Sequence, residues 1–306
     1  MSKPPLLLLG YNRHDLLEKR VKEISKLEVE KVYISIDGGE ESHKSEMISL
    51  ILEIPSIFLK DTEVKIIHHE NNLGLTKHIT SAISKVLEEN ENLIVVEDDI
   101  AINSSFYKNM SNGLNMLKKM GTRGLVSGFS PINYSGSYHL QNKWRKSIYF
   151  SCWGWGCNRD TWARYESNLS DIDLDEALKN SHAWNSLSSW QKSLWKSRFR
   201  RVQQNESYTW DLQMQFASFA NEFTNLVPLF RFTDNEGFND VRATHTKEPK
   251  PKWMKNKSKN EQDIYDFAGI ITSKLFGIID ALTIVGDSRL LSFYKNVKNY
   301  FKFNEK

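Results

Sequence analysis

The sequence lacks the features that mark several common classes of protein. Its 306 residues include only two cysteines, Cys152 and Cys157, which are too few for a disulfide framework or a four-cysteine zinc site. No apolar run approaches the roughly 18 residues that span a bilayer. The run Leu6–Leu9 is too short for the core of a signal peptide. These absences predict a cytoplasmic protein.

Positive and negative charges are nearly balanced in the chain, and no phosphate-binding motif is present. Lys and Arg number 41 against 38 Asp and Glu, and this excess of +3 is too small to indicate a nucleic-acid partner. Residues 247–306 hold twelve basic and seven acidic residues, a local charge of +5 that leaves about −2 for the rest. The absence of a P-loop and of a GxGxxG motif argues against ordinary kinases and dinucleotide-binding enzymes.

Apolar runs and helix-period stretches alternate over the first hundred residues. Four short apolar runs predict strands, namely Pro5–Gly10, Val32–Ile36, Val64–His68 and Leu93–Val96. Amphipathic stretches between them predict helices, namely His14–Leu27, Ser45–Ile54 with an end at Pro55, and Leu75–Glu89. This alternation predicts an α/β fold with a parallel sheet, whose ligands bind beyond the carboxyl ends of the strands.

Three consecutive carboxylates, Glu97-Asp98-Asp99, follow the fourth predicted strand. We refer to them as the triplet. Their mutual repulsion is costly unless a cation lies beside them, and a hard divalent ion bound by carboxylate oxygens would relieve it. Such an ion would also bind a diphosphate. The alternative is an acidic turn without a ligand.

Other residues are weaker candidates, and each has a structural alternative. Asp37 ends the second strand, where it can bind a base or a ribose or can belong to an Asp-Gly turn. Arg13 follows the first strand, where it can bind phosphate or be an ordinary surface arginine. His245 can be a metal ligand, although lone histidines are more often structural. The dense tryptophans around Trp155 can form a wall for sugar rings or plain core.

Taken together, these residues resemble the GT-A glycosyltransferases, in particular the family of N-acetylglucosaminyltransferase I and its bacterial relatives. The triplet is similar to the DxD motif in the Glu-Asp-Asp form of that family. Further similar segments follow in the same order, namely Trp153–Gly156, Trp210-Asp211, Asn235–Phe238 and Ala243–Thr246. The resemblance covers roughly residues 5–247, and the Trp-rich, basic stretch 180–204 departs from it.

The resemblance implies a fold class and a domain organisation. It implies an α/β GT-A (Rossmann-like) fold, with a mostly parallel sheet flanked by helices and a C-terminal helical tail. Residues 1–247 would form the catalytic domain, with 1–100 as the nucleotide-sugar-binding half and 101–247 as the acceptor half. Residues 248–306 would form a basic linker and amphipathic helices.

The resemblance also implies the roles of individual residues. Asp99 and His245 would bind Mn²⁺ or Mg²⁺, and Asp211 would be the catalytic base. The residues that would contact the donor are Arg13, Asp37, Glu97, Asp98 and Trp155. The implied activity is inverting, metal-dependent transfer of a sugar, GlcNAc or a similar one, from a UDP-sugar to a hydroxyl of a glycan or a lipid-linked glycan.

Two other functions and one partner stay open at this point. A sugar-nucleotide nucleotidyltransferase would share a similar core. That class has a Gly-rich loop with Arg and Lys after the first strand, where this chain has only one glycine, Gly10, and one arginine, Arg13. A non-catalytic carbohydrate-binding protein would have lost the triplet or the base, and both are present. Residues 261–301, which follow the basic linker, either pack on the catalytic domain or lie on the inner face of an anionic membrane.

Overall fold

The structure, a computed structural model, describes residues 3–39, 53–130, 144–205, 209–229, 231–238, 240–242 and 249–250. His245 and the amphipathic stretches over 261–301 lie outside these residues, so the predictions made for them stay predictions. The same holds for most of the helix predicted over Ser45–Ile54. Its predicted end is wrong, because residues 53–58 are helical and include Pro55.

The first half of the chain contains the predicted alternation of strands and helices. The elements are β1 (Leu6–Gly10), α1 (His14–Ile24), β2 (Lys31–Ile36), β3 (Glu63–His68), α2 (Leu75–Glu89) and β4 (Asn92–Glu97). A short strand, β5 (Ile100–Ile102), and a long helix, α3 (Phe106–Met120), follow directly. The four strands expected from the apolar runs are therefore confirmed.

The second half has shorter strands and more helices. The strands are β6 (Val126–Ser127), β7 (Trp144–Ser147), β8 (Trp155–Asn158), β9 (Asn225–Pro228) and β10 (Thr233–Asn235). The helices are α4 (Arg159–Trp162), α5 (Leu174–Leu178), α6 (His182–Asn185), α7 (Ser189–Gln204) and α8 (Asp211–Ala220). Helix α5 begins after a side-chain cap, since the carboxylate of Asp173 accepts hydrogen bonds from two amides of its first turn.

Eight of the described strands form one sheet in the order β3-β2-β1-β4-β8-β6-β9-β7. Strands β3, β2, β1 and β4 are parallel, and β8 then runs antiparallel to β4. Four of the seven strand pairs of this sheet are parallel. Strands β10 and β5 form a separate antiparallel ribbon. The predicted class, an α/β fold with a mostly parallel sheet between helices, is confirmed.

Both faces of the sheet are buried, which explains why β1 is a continuous run of leucines. Successive side chains of a strand point to opposite faces, so Leu6 and Leu8 belong to one apolar cluster and Leu7 and Leu9 to another. Helices α1 and α3 cover the first face, and α2 and α8 cover the second. The carboxyl ends of β1 to β4 therefore meet at a single open edge.

A third apolar cluster lies among the helices of the second half. Trp184, Trp195, Phe199 and Phe219 are buried there and pack edge-to-face or stacked. Most of the dense tryptophans are thus core residues, whereas Trp190 on α7 is half exposed. Among the described helices, none combines the length and the apolar character needed to cross a membrane.

Candidate functional site

The triplet lies where β4 ends, at the open edge of the sheet. Glu97 is the last residue of β4, and Asp98 and Asp99 form the turn that leads into β5. The backbone fixes this turn on two sides, since the Asp98 amide donates to Leu9 O (2.9 Å) and Asp99 O accepts from the Glu236 amide (2.8 Å). Asp98 is 2% exposed and Asp99 is 8% exposed. The predicted position of the triplet is therefore confirmed.

A cation does lie beside the triplet, and it is the side chain of Arg13. Arg13 Nη2 forms an ion pair with Asp98 Oδ1, and Arg13 Nη1 donates to Asp99 Oδ2 at 2.8 Å. Arg13 is 14% exposed at its side chain and immediately precedes α1, whose Leu17 amide donates to Arg13 O. One guanidinium thus bridges two carboxylates that come from a different loop.

The buried position of the triplet changes the protonation of its carboxyls. Burial raises the pKa of Glu97 well above its usual range, and the charges of Asp99 and Asp98 act in the same direction. Burial also raises the pKa of Asp98 to about 7, because it outweighs the opposing charge of Arg13. At neutral pH the triplet therefore carries fewer than three negative charges.

The carboxylate of Asp37 connects two loops of the same edge. Its Oδ1 accepts from the amides of Gly38 (2.9 Å) and Leu73 (2.8 Å), and its Oδ2 accepts from the amide of Gly74 (3.1 Å). A Cβ at Gly38 would lie 2.3 Å from the carbonyl carbon of Asn71, so only glycine allows the loops to approach this closely. Asp37 holds the loop after β3 in place, and its predicted contact with a uracil stays a prediction.

A pair of histidines lies behind these loops. His78 on α2 is buried, and its Nε2 lies 2.9 Å from Ser35 Oγ of β2. Burial lowers its pKa to about 4, so His78 is neutral at physiological pH. The ring of His69 packs edge-on against that of His78, with centroids 5.5 Å apart. The sequence analysis did not single out either histidine, because neither belongs to a recognisable motif.

Asp211 comes from the other half of the chain and reaches the same region. It is the first residue of α8, and its Oδ1 accepts hydrogen bonds from the Leu212 amide (3.0 Å) and the Thr209 hydroxyl. Its negative charge contributes to the raised pKa of Glu97 and of Cys152. The candidate base and the triplet therefore share one electrostatic environment.

Cys152 is the site residue that sequence reasoning missed. Burial raises the pKa of its thiol well above the usual range, followed by the charges of Asp211 and Glu97. The thiol is therefore protonated at neutral pH. Cys152 comes three residues before Trp155, which pairs with Val95, two residues before the triplet. The signal available in the sequence was its position before the Trp-Gly repeat that leads into β8.

The predicted role of Trp155 in a sugar pocket is wrong for its side chain. Trp155 lies on β8 opposite Val95, is 0% exposed, and stacks on Trp210 with centroids 5.0 Å apart. Its indole is therefore a core residue below the site. The neighbouring Trp153 is only partly buried, packs against the apolar cluster of the first face, and contacts Phe238 edge-on.

The described residues do not by themselves fit a bound metal ion. No group of three or more His, Cys, Asp or Glu side chains among them is arranged to hold one. Arg13 contacts both Asp98 and Asp99, so a divalent ion at these carboxylates would lie beside a fixed positive charge. The predicted Mn²⁺ or Mg²⁺ stays a prediction, as does the role of His245, which lies outside the described residues.

Comparisons with known proteins found similarity to solved structures alone. The sequence matches no protein-family model and no curated protein. Among solved structures, the chain is similar to UDP-glucose pyrophosphorylase complexed with UDP-glucose, with a TM-score of 0.40 and 10% identity. The match covers 75% of this chain and 91% of that one. So distant a similarity says nothing about the site, whose chemistry has to be inferred from its own residues.

Proposed function

We propose that the protein is an inverting glycosyltransferase that takes its sugar from a nucleoside-diphosphate sugar. The observation that supports this function most strongly is the convergence of Asp211 with the triplet: Trp210, directly before Asp211, stacks on Trp155, which pairs with Val95, two residues before Glu97. A group transfer of this kind needs a binding site for a diphosphate and a nearby carboxylate that accepts a proton. Residues from the two halves of the chain supply these groups at one edge of the sheet.

The proposed reaction assigns one task to each group. A hydroxyl of the acceptor attacks the anomeric carbon from the face opposite the diphosphate, a bond from that carbon to the acceptor oxygen forms, and the bond to the diphosphate oxygen breaks. Asp211 takes the proton of the hydroxyl. Its Oδ1 is used by the Leu212 amide and the Thr209 hydroxyl, and we assign the proton transfer to Oδ2.

We further propose UDP as the nucleotide and a GlcNAc-like sugar, both implied by the resemblance to the N-acetylglucosaminyltransferase I family. Arg13 and the amides at the N-terminus of α1 lie at the carboxyl end of β1, where a diphosphate would bind in an α/β sheet. The acceptor is a glycan or a glycoconjugate. We assign contact with the sugar to the partly buried rings of Trp153 and Phe238, which pack edge-on against each other.

The function is tested by incubating the protein with a panel of UDP-sugars and a panel of oligosaccharide acceptors. Each reaction is run in EDTA and in Mn²⁺, and UDP, UTP and glycosylated products are measured. We expect acceptor-dependent release of UDP with one donor, and loss of that release in Asp211→Asn. Formation of UTP from UDP-sugar and pyrophosphate would instead indicate a nucleotidyltransferase. Binding of a glycan without any turnover would indicate a carbohydrate-binding protein.

A further inference from the structure

We propose that the guanidinium of Arg13 takes the place of a divalent cation at the triplet, so that the protein binds a nucleoside diphosphate without a metal ion. This inference rests on the proposed function for its ligand, the diphosphate of a nucleotide sugar. It is contrary to the metal ion that the resemblance implies. The geometry of Arg13, Asp98 and Asp99 carries it.

The position of Arg13 is that of a bridging cation. Its two terminal nitrogens contact Asp98 Oδ1 and Asp99 Oδ2, one carboxylate each. A divalent ion shared by these two side chains would compete for the same oxygens. Because the guanidinium is planar and permanently charged, it satisfies two carboxylates at once and neutralises the repulsion that would otherwise call for a metal.

The backbone holds Arg13 in this position. Arg13 lies between the end of β1 and the start of α1, and its carbonyl accepts the first hydrogen bond of the helix from the Leu17 amide at 3.0 Å. The loop that carries the two aspartates is itself tied to β1 through the amide of Asp98 and Leu9 O (2.9 Å). Both partners of the bridge are therefore fixed with respect to the same strand.

Arg13 also keeps donors for a ligand. A guanidinium has five N–H groups, and the contacts with Asp98 and Asp99 use one hydrogen on each terminal nitrogen. The remaining N–H groups belong to a side chain that is 14% exposed. The positive end of the α1 dipole lies at the same point and favours an anion there. A nucleotide diphosphate is an anion that binds at this position in α/β sheets, beyond the carboxyl ends of the strands.

Arg242 provides a matched control, because it bridges two aspartates in the same way outside the triplet. Its Nη1 contacts Asp15 Oδ1 at 2.7 Å and its Nη2 contacts Asp240 Oδ2 at 2.8 Å. We therefore compare Arg13→Met and Arg13→Lys with Arg242→Met. Thermal melting of each variant shows whether it is folded before any binding is measured.

The first measurement is calorimetric titration of UDP into the full chain, in EDTA and in Mn²⁺. We expect the affinity of the wild-type protein for UDP to agree within about threefold in the two buffers. In EDTA it should fall by at least about tenfold in Arg13→Met and change little in Arg242→Met. A wild-type protein that binds UDP only with Mn²⁺ would overturn the proposal while leaving the transferase function intact.

The second measurement is titration of Mn²⁺ alone, followed by electron paramagnetic resonance, which does not depend on turnover or on UDP. We expect no saturable binding to wild type at submillimolar Mn²⁺, and binding at least about tenfold tighter to Arg13→Met, in which Asp98 and Asp99 lose their cation. Tight Mn²⁺ binding to wild type would overturn the proposal. If UDP and UDP-sugars do not bind in either buffer, both this proposal and the proposed function fail, whereas dependence on Mn²⁺ contradicts only this one.

Discussion

Asp211 is the residue on which the proposed chemistry depends most directly. It occupies the first turn of α8, where the positive end of the helix dipole stabilises a negative charge, and its Oδ1 is held by Leu212 and Thr209. A side chain held in this way is already oriented before the acceptor arrives. The energetic cost of positioning the base is thus met during folding and not during catalysis.

Asp211→Asn is expected to lower turnover by roughly 10²–10⁴-fold, the range typical for the loss of a general base. The affinity for UDP should stay near the wild-type value, because the amide preserves the shape of the side chain. Steady-state kinetics and calorimetry on the same preparation check both expectations. Asp175→Asn, in the first turn of α5, is the matched control and should turn over normally. Turnover of Asp211→Asn within a few-fold of wild type would contradict the assignment.

His78 makes stability depend on pH below neutrality. Its pKa in the folded protein is about 4, against about 6.5 for an exposed histidine. Between these values the unfolded chain binds a proton that the folded chain does not, so the free energy of unfolding decreases as the pH falls from about 6.5 to about 4. The whole difference corresponds to about 3–4 kcal/mol, of which about 2–3 kcal/mol falls between pH 7 and pH 4.5.

Urea unfolding at pH 7 and pH 4.5 measures this contribution. Between pH 7 and pH 4.5, we expect the free energy of unfolding to decrease by about 2–3 kcal/mol less in His78→Gln than in the wild-type protein. His182→Gln serves as the control, since His182 is almost fully exposed on α6. Equal pH dependence in wild type and His78→Gln would show that His78 does not titrate in this range.

At the level of elements, α1 is connected to the β5–β10 ribbon through a buried arginine. Arg20 has a fully buried side chain and pairs with Glu23 Oε2 at 2.6 Å and with Glu236 Oε2 at 2.7 Å. Glu23 also accepts from the Ile102 amide on β5 at 3.0 Å. Because the Glu236 amide donates to Asp99 O, this ion-pair network supports the turn that carries the triplet.

Glu236→Gln is expected to destabilise the protein by about 1–3 kcal/mol, because it leaves the buried guanidinium of Arg20 with only one carboxylate. The partial exposure of Glu236 keeps this figure below that of a fully buried pair. Urea unfolding at neutral pH gives the measurement. Glu18→Gln, which removes an exposed pair with Lys22 on the same helix, should cost no more than about 0.5 kcal/mol. Equal effects of the two substitutions would contradict the role of the network.

At the scale of the whole molecule, the uneven distribution of charge predicts that residues 247–306 bind an anionic membrane surface. Residues 247–306 carry a net charge of +5, whereas the whole chain carries +3, so the other residues together carry about −2. If the amphipathic stretches after Asn260 lie on an anionic surface, the full chain should float with vesicles that contain phosphatidylserine, more weakly at higher salt. A chain that ends near Lys247 and remains folded should not float. Equal flotation of the two proteins would contradict the membrane prediction.

The fold was predictable from the sequence to the extent that local patterns determine it. Runs such as Leu6–Leu9 must be covered on both faces, and this requirement gives the parallel strands and the edge where the triplet lies. These features depend on residues that are close in sequence, so periodicity reveals them.

Long-range contacts were not predictable in this way. The sequence places Arg13 at the correct edge but does not show that its side chain turns toward Asp98 and Asp99, 85 and 86 residues away. Similarly, the pattern around Trp155 does not distinguish a pocket wall from a core position, because that choice is made when β8 pairs with β4 and Trp210 stacks above it. Packing among distant segments decides both cases.

The reversal of direction at β8 has a consequence for how such a protein can diverge. Because β8 runs antiparallel to β4, the segment just before β8, which includes Cys152 and Trp153, lies at the same edge as the triplet. This segment and the loops that follow β1 to β4 are separate stretches of the chain, and no turn connects one directly to the other. Mutations in one set can therefore accumulate while the other set is preserved, so that, under the proposed function, specificity for the acceptor can change while recognition of the donor stays the same.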